Sequence, residues 1–200
     1  MTEMNMIKAH PTRYKNVQFR SRLEAKWAAF FDLLNWRWQY EPIDLDGWTP
    51  DFSIVGHNGP IYVEVKPIEW SGDQDRMISQ ANVRSDLNKV RRLNTTREVL
   101  VLGTEPAFMS TSDEGYTLFG VLVSKDFNTL PGDEAKRVQD VAVLWQGDDG
   151  HLDFAALQGD YRFRISGEWD GDGHLRSVYH GKIYELWREA GNLTQWKPAQ

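Results

Sequence analysis

Along the chain, Leu23, Trp27, Phe30, Phe31 and Leu34 recur at i, i+4, i+7, i+8 and i+11, the stripe of an amphipathic helix over residues 19–35. Ser21 suits its N-cap, with Glu24 three residues on, as in a capping box. Trp36, Trp38 and Tyr40 then alternate with polar residues, the period of a half-buried strand. A Pro/Asp/Gly-rich connection over residues 41–48 leads to two apolar runs, Asp51–Val55 and Ile61–Val65. The Asn58-Gly59 pair between them predicts a hairpin, and Pro67 ends its second strand. A second helix is predicted within residues 75–94, with Val83, Leu87, Val90 and Leu93 as its buried stripe. Residues 98–102 then form a short apolar strand before Gly103. Helix, three strands, helix, strand is an α/β order with a mixed sheet.

Beyond Thr104 the pattern predicts strands at Thr117–Val123 and Val141–Trp145, a turn at Gly147–Gly150, and a meander through Leu152–Leu157 and Tyr161–Ser166. A last helix is expected over Ser177–Ala190, with Tyr179, Ile183, Leu186 and Trp187 inward and Gly191 as its stop. The chain thus divides into a basic lead-in (1–18), a core (19–103) and an acidic α+β extension (104–200) packed on the core, whose role the sequence leaves open.

With 200 residues, 40% of them hydrophobic and 26% charged, the chain reads as globular. It has no cysteine, which removes disulfides, thiol catalysis and Cys-based zinc modules, and suits a reducing cytoplasm. No segment has the apolar length of a membrane span, so a soluble cytoplasmic protein is expected. Net charge is −6, unevenly spread. Residues 1–40 carry seven Lys/Arg against three Asp/Glu, and residues 76–97 six against one. Between them, 41–75 has one against eight, and 98–200 has nine against seventeen. Basic flanks around an acidic centre suit a protein that holds phosphates at its edges and a cation in its middle.

That centre carries the chemistry. Thr49-Pro50-Asp51-Phe52 and Tyr62-Val63-Glu64-Val65-Lys66 stand at the ends of the two hairpin strands. Glu64 and Lys66, two apart, share one face, while Val63 and Val65 point to the other, into the core. Two carboxylates and an ammonium meeting there suit metal-assisted phosphodiester hydrolysis. Arg13, Lys15, Arg20 and Arg22 near the first helix, and Arg84, Arg91 and Arg92 on the second, are candidates for backbone phosphate contacts.

The pattern resembles the PD-(D/E)xK nuclease superfamily, with its restriction-endonuclease-like αβββαβ core, over about residues 19–103. Arg20-Ser21-Arg22-Leu23-Glu24 is similar to branches with Holliday-junction resolvases, transposon end-cleaving endonucleases and small phage or prophage nucleases. The resemblance implies a Mg²⁺-dependent DNA endonuclease, Mn²⁺ substituting, in phage or mobile-element DNA processing. Asp51 and Glu64 would be metal ligands with the Val65 carbonyl, and Lys66 would orient or deprotonate the attacking water. Glu24 would serve a second metal or a metal-bound water. Gln80 and Lys89 both suit the accessory position on the second helix. Many enzymes of this kind cut as dimers, so a homodimer is expected.

Each residue has a plainer reading. Glu24 also suits closure of the Ser21 capping box or a pair with Arg20; Asp51 suits a turn; Glu64 and Lys66 suit an exposed pair. The five histidines form no metal-spaced cluster, and His57 lies in the hairpin turn. The rival functions are a non-catalytic nucleic-acid-binding adaptor that keeps the nuclease fold, and a protein-interaction factor acting through its acidic half.

Overall fold

A computed structural model describes residues 10–45, 47–92, 97–110, 115–125, 137–147, 149–159, 162–168 and 178–195. It is a mixed α/β protein built on one large mixed sheet. Residues expected as a lead-in instead form a hairpin from Thr12: strands β1 (Thr12–Tyr14) and β2 (Val17–Phe19) pair across a two-residue turn. Lys15 and Asn16 take φ of 43° and 66°, the left-handed pair such a turn requires. Phe19 ends β2 fully buried, so the first helix starts later than its periodicity suggests.

Helix α1 spans Arg22–Leu33, with the Ser21 hydroxyl accepting the Glu24 N–H. It ends in a Schellman arrangement: Asn35 is left-handed (φ 59°) and Trp36 N–H returns to the Phe31 carbonyl at 2.9 Å. Trp27, Phe30, Phe31 and Leu34 are buried as expected. Ala25, Ala28 and Ala29 are buried too, so nearly the whole circumference of α1 is covered.

Strands β3 (Trp38–Tyr40), β4 (Phe52–Gly56) and β5 (Gly59–Val65) run antiparallel in turn. His57 and Asn58 keep negative φ and Gly59 takes +110°, so the turn depends on a glycine after it, not on a mirror-image Asn-Gly pair. β6 (Val99–Leu102), wholly buried, lies parallel to β5. Between them the second helix is broken. α2 covers Gln74–Asn82, a 3₁₀ turn Ser85–Leu87, and α3 Asn88–Arg92. The extended Arg84 (ψ 115°) resets the phase between them. Met77, Ala81, Leu87 and Val90 therefore face the core, and Val83, expected inside, is 80% exposed. Leu93 lies outside the described residues.

The sheet continues through β8 (Gly115–Lys125), β9 (Arg137–Gln146) and β10 (Leu152–Ala156), in the order β10-β9-β8-β6-β5-β4-β3. β7 (Ala107–Ser110), which the sequence pattern does not announce, pairs with β8. Residues 162–168 form turns and a bridge instead of a further strand, held by the buried Asp153 carboxylate, which accepts the N–H groups of Ile165 and Ser166. Helix α4 is His180–Leu193. Ile183 and Trp187 face inward, but Tyr179 is 81% exposed, and Gly191 lies inside the helix against Lys26 instead of stopping it.

Two apolar layers clothe the sheet. On one face α1 and α4 meet over Trp27, Phe30, Phe119 and Trp187, with Trp27 and Trp187 rings 4.5 Å apart. On the other, Trp48, Trp70, Met77 and Leu87 pack over Val99, Val101 and Val121. The indoles of Trp27 and Trp36 donate to the carbonyls of Gly103 and Leu152 at 2.8 and 2.7 Å, fastening α1 and the turn after it to later strands. Among the described residues no helix is long and apolar enough to cross a membrane.

Candidate functional site

Phe52 pairs with Val63 and Ile54 with Ile61, so continuing the ladder by one step sets Asp51 opposite Glu64. Val63 and Val65 join the layer under α1, as period-two alternation requires. Glu64 and Lys66 then project to the opposite face. Asp51 is 5% and Glu64 6% exposed, unusual burial for carboxylates without compensating partners.

Those partners are present. One Asp51 oxygen accepts the Val65 N–H at 2.7 Å, tying the start of β4 to the end of β5. The other accepts from the Arg20 guanidinium at 2.5 Å, and Arg20 also pairs with Glu41 at 3.0 Å. Glu64 is held by the Lys66 ammonium at 2.6 Å on one oxygen and by the Trp48 indole N–H at 2.9 Å on the other. Lys66 stands 3.9 Å from Asp86, which Arg84 grips at 2.9 and 2.7 Å.

Glu24 enters from the first turn of α1. The Ser21 hydroxyl donates to one of its oxygens at 2.7 Å, and the Tyr40 hydroxyl to the other at 2.6 Å. Tyr40 in turn accepts the Arg20 N–H at 3.1 Å. Glu24 thus answers Ser21 through the hydroxyl, and it joins α1, β3 and the β2–α1 link in one buried network.

The electrostatics follow from the crowding. Burial, then the Glu64 carboxylate, push the Asp51 carboxyl up to about 7, with Glu24 adding and the Val65 N–H and Arg20 opposing. Burial and the bond to Glu24 raise the Tyr40 hydroxyl to about 12, so it stays a donor. Burial alone would lower the Arg20 guanidinium, but the Tyr40 hydroxyl and the Asp51 carboxylate outweigh it and raise it. Arg84 draws Asp86 below the usual carboxylate range.

Among the described residues no three carboxylate or imidazole groups converge to hold a metal ion as they stand. The donor set nonetheless fits a hard cation. Asp51 and Glu64 are all-oxygen ligands facing each other, and Arg20 and Lys66 occupy the positions where positive charge is wanted.

The remaining candidates scatter. Arg13 bonds Asn16 beside it, and Lys15 pairs with Asp32 at 3.0 Å. Arg22 turns toward α4, and Arg20 belongs to the carboxylate network. Arg91 and Arg92 lie on α3 with side chains outside the described set. Gln80 is committed to the backbone at Glu69 and Ser71. Lys89 donates to the Gly47 carbonyl at 2.8 Å, bracing the loop that carries Trp48. Tyr40, Trp48 and Asp86 were not singled out from the sequence as site residues. Tyr40 read there as an ordinary strand aromatic, and Trp48 as the end of a loop; the signal available was that Tyr40 precedes Glu41 at a strand end and Trp48 lies three residues before Asp51.

No protein-family model, no curated protein and no solved structure matches this chain.

Proposed function

We propose that this protein is a divalent-metal-dependent deoxyribonuclease acting at Asp51, Glu64 and Lys66. The observation that carries the reading is the register of the β4–β5 hairpin: it puts Asp51 across from Glu64, with Lys66 on the Glu64 face. The αβββαβ element order and the buried Glu24 at the start of α1 support a restriction-endonuclease-like core.

Asp51 and Glu64, with the Val65 carbonyl, would hold the cation, and Glu24 would serve a second metal or a water. A bound Mg²⁺ or Mn²⁺ would supply electrostatic stabilisation of a phosphoryl group during attack by water. The chain's own contribution is positional. Lys66 holds a proton-bearing nitrogen against Glu64, where it orients an incoming water. Arg20, bonded to Asp51 and partly exposed, would be free to turn to a substrate phosphate if Asp51 held a cation. Trp48 fixes the second Glu64 oxygen and excludes water from that side.

A second reading has an observation of its own. Arg20 and Lys66 already neutralise Asp51 and Glu64, and Glu24 is committed to Tyr40 and Ser21. The cluster would then be a brace in a nucleic-acid-binding adaptor. Cleavage of labelled linear, nicked, branched and single-stranded DNA separates the two. Metal-dependent cutting is expected, abolished by EDTA and reduced at least about 100-fold by Lys66→Ala and by Asp51→Asn. Binding without cutting, untouched by either substitution, favours the adaptor. The preferred substrate distinguishes junction resolution, end cleavage and restriction-like cutting.

A further inference from the structure

On the far side of α1 from Glu24, Arg22 and Lys26 stand one turn apart and face α4. With Arg188 of α4 they line a cavity of about 250 Å³, together with Tyr184, Trp187 and Glu105. The Lys26 ammonium lies 3.9 Å from the centre of the Trp187 ring, which anchors the charge without neutralising it. Gly191 makes room for that stem: a Cβ there would come within 3.3 Å of the Lys26 side chain. Among the described residues, none of Arg22, Lys26 and Arg188 forms an ion pair.

Three cations against one carboxylate give the cavity a positive balance, in a chain whose net charge is −6. Glu105 offsets part of that charge at Lys26, and the two arginines leave a positive balance that favours an added anion. Tyr184, 58% exposed on its rim, offers a bare ring beside the charges. A second cavity of about 270 Å³ shares Glu105, Tyr184 and Trp187 and continues toward Phe108 and His180. Phe108 is 45% exposed. Charge followed by exposed aromatic surface matches a strand that presents phosphate and unstacked base together; duplex DNA presents the phosphate but hides its base faces.

We propose that this α1–α4 cavity binds a single-stranded DNA segment, with a backbone phosphate on Arg22, Lys26 and Arg188 and a base against Tyr184. The assignment rests on the nuclease reading for its meaning: the site lies across α1 from Glu24, about 10 Å or one helix width away, and would hold an unpaired arm or tail of the substrate. It selects branched or tailed DNA as the substrate class. Glu105 lines both cavities and opposes the strand there, so its removal tightens binding.

The test is fluorescence anisotropy with a labelled oligodeoxythymidine of about 12 nucleotides, in EDTA, over a series of salt concentrations. Arg22→Ala and Arg188→Ala change exposed side chains, so folding is kept and is checked by circular dichroism. Each is expected to weaken binding and to make the log–log salt slope shallower by about 0.7. Tyr184→Ala is expected to weaken single-strand binding about tenfold and leave blunt duplex binding unchanged. Glu105→Gln is expected to strengthen it. Unchanged affinity and slope in both arginine variants would overturn the site even if the wild type cleaves DNA. Slopes that fall as expected in a protein that never cleaves would keep the site and sink the nuclease reading instead.

Discussion

Asp51 shows what burial does to one carboxyl. Its ordinary value is 3.8 and the fold pushes it up to about 7, chiefly through burial and then through Glu64. The folded state therefore holds this proton more tightly than the unfolded chain does. The sign follows: Asp51 favours folding below pH 4, and its contribution is lost as pH rises from about 4 to about 7, a difference of a few kcal/mol at most. Thermal melts across that window are expected to show wild-type stability falling with pH, and Asp51→Asn flattening the fall. A divalent cation that takes the proton's place restores stability at pH 8 and not at pH 4. Equal shifts at both pH values, or shifts that survive Asp51→Asn, would remove Asp51 from the proposed metal set. The pair Asp51 and Glu64 was legible because strand alternation and a turn signal determine which residues face each other. The Arg20–Asp51 bond was not, since 31 residues separate them and only packing brings them together.

At the scale of elements, the broken second helix is the instructive departure. Val83, Leu87 and Val90 fit one helical stripe, yet the chain exposes Val83 and buries Leu87 to 2%. Extended Arg84 gives up a turn of helix and gains a two-point bond to Asp86, and the phase shifts around it. Urea denaturation is expected to record this. Leu87→Ala costs about 2–5 kcal/mol, while Val83→Lys changes stability by less than about 0.5 kcal/mol. Similar costs at both positions would restore the continuous helix. The break also touches the candidate site, because it brings Asp86 to within 3.9 Å of Lys66.

For the molecule as a whole, the acidic second half is part of the sheet that carries the site. β8 pairs with β6 from Val99↔Val123 to Val101↔Val121, and α4 lays Trp187 across Trp27 and Phe30. Cutting the chain after Gly103 would bare the β6 edge and the apolar face of α1 together. Such a fragment is expected to lose its cooperative melt and aggregate. In the full chain, Trp187→Ala should cost about 3–5 kcal/mol by chemical denaturation. A soluble fragment that melts cooperatively would mean that the first half folds alone. The protein-interaction reading of the acidic half is thus not tested by truncation, which removes half the sheet; surface substitutions on α4 are the better probe.

Local physics reads well from sequence here, and its reach is short. Period-two and helical patterns, the Ser21 cap and the glycine at position 59 act over a few residues, so α1, the β4–β5 hairpin and β6 were legible, and with them the shared face of Glu64 and Lys66. The tertiary structure alone decided that β8 sits against β6, that Tyr40 holds Glu24, that Trp48 holds Glu64, and that Arg188 reaches the cavity of Arg22 and Lys26. These contacts join residues 16 to more than 160 positions apart, where no local energy term distinguishes one partner from another. They are settled when the sheet closes over both apolar layers and each buried polar group must find a partner within reach.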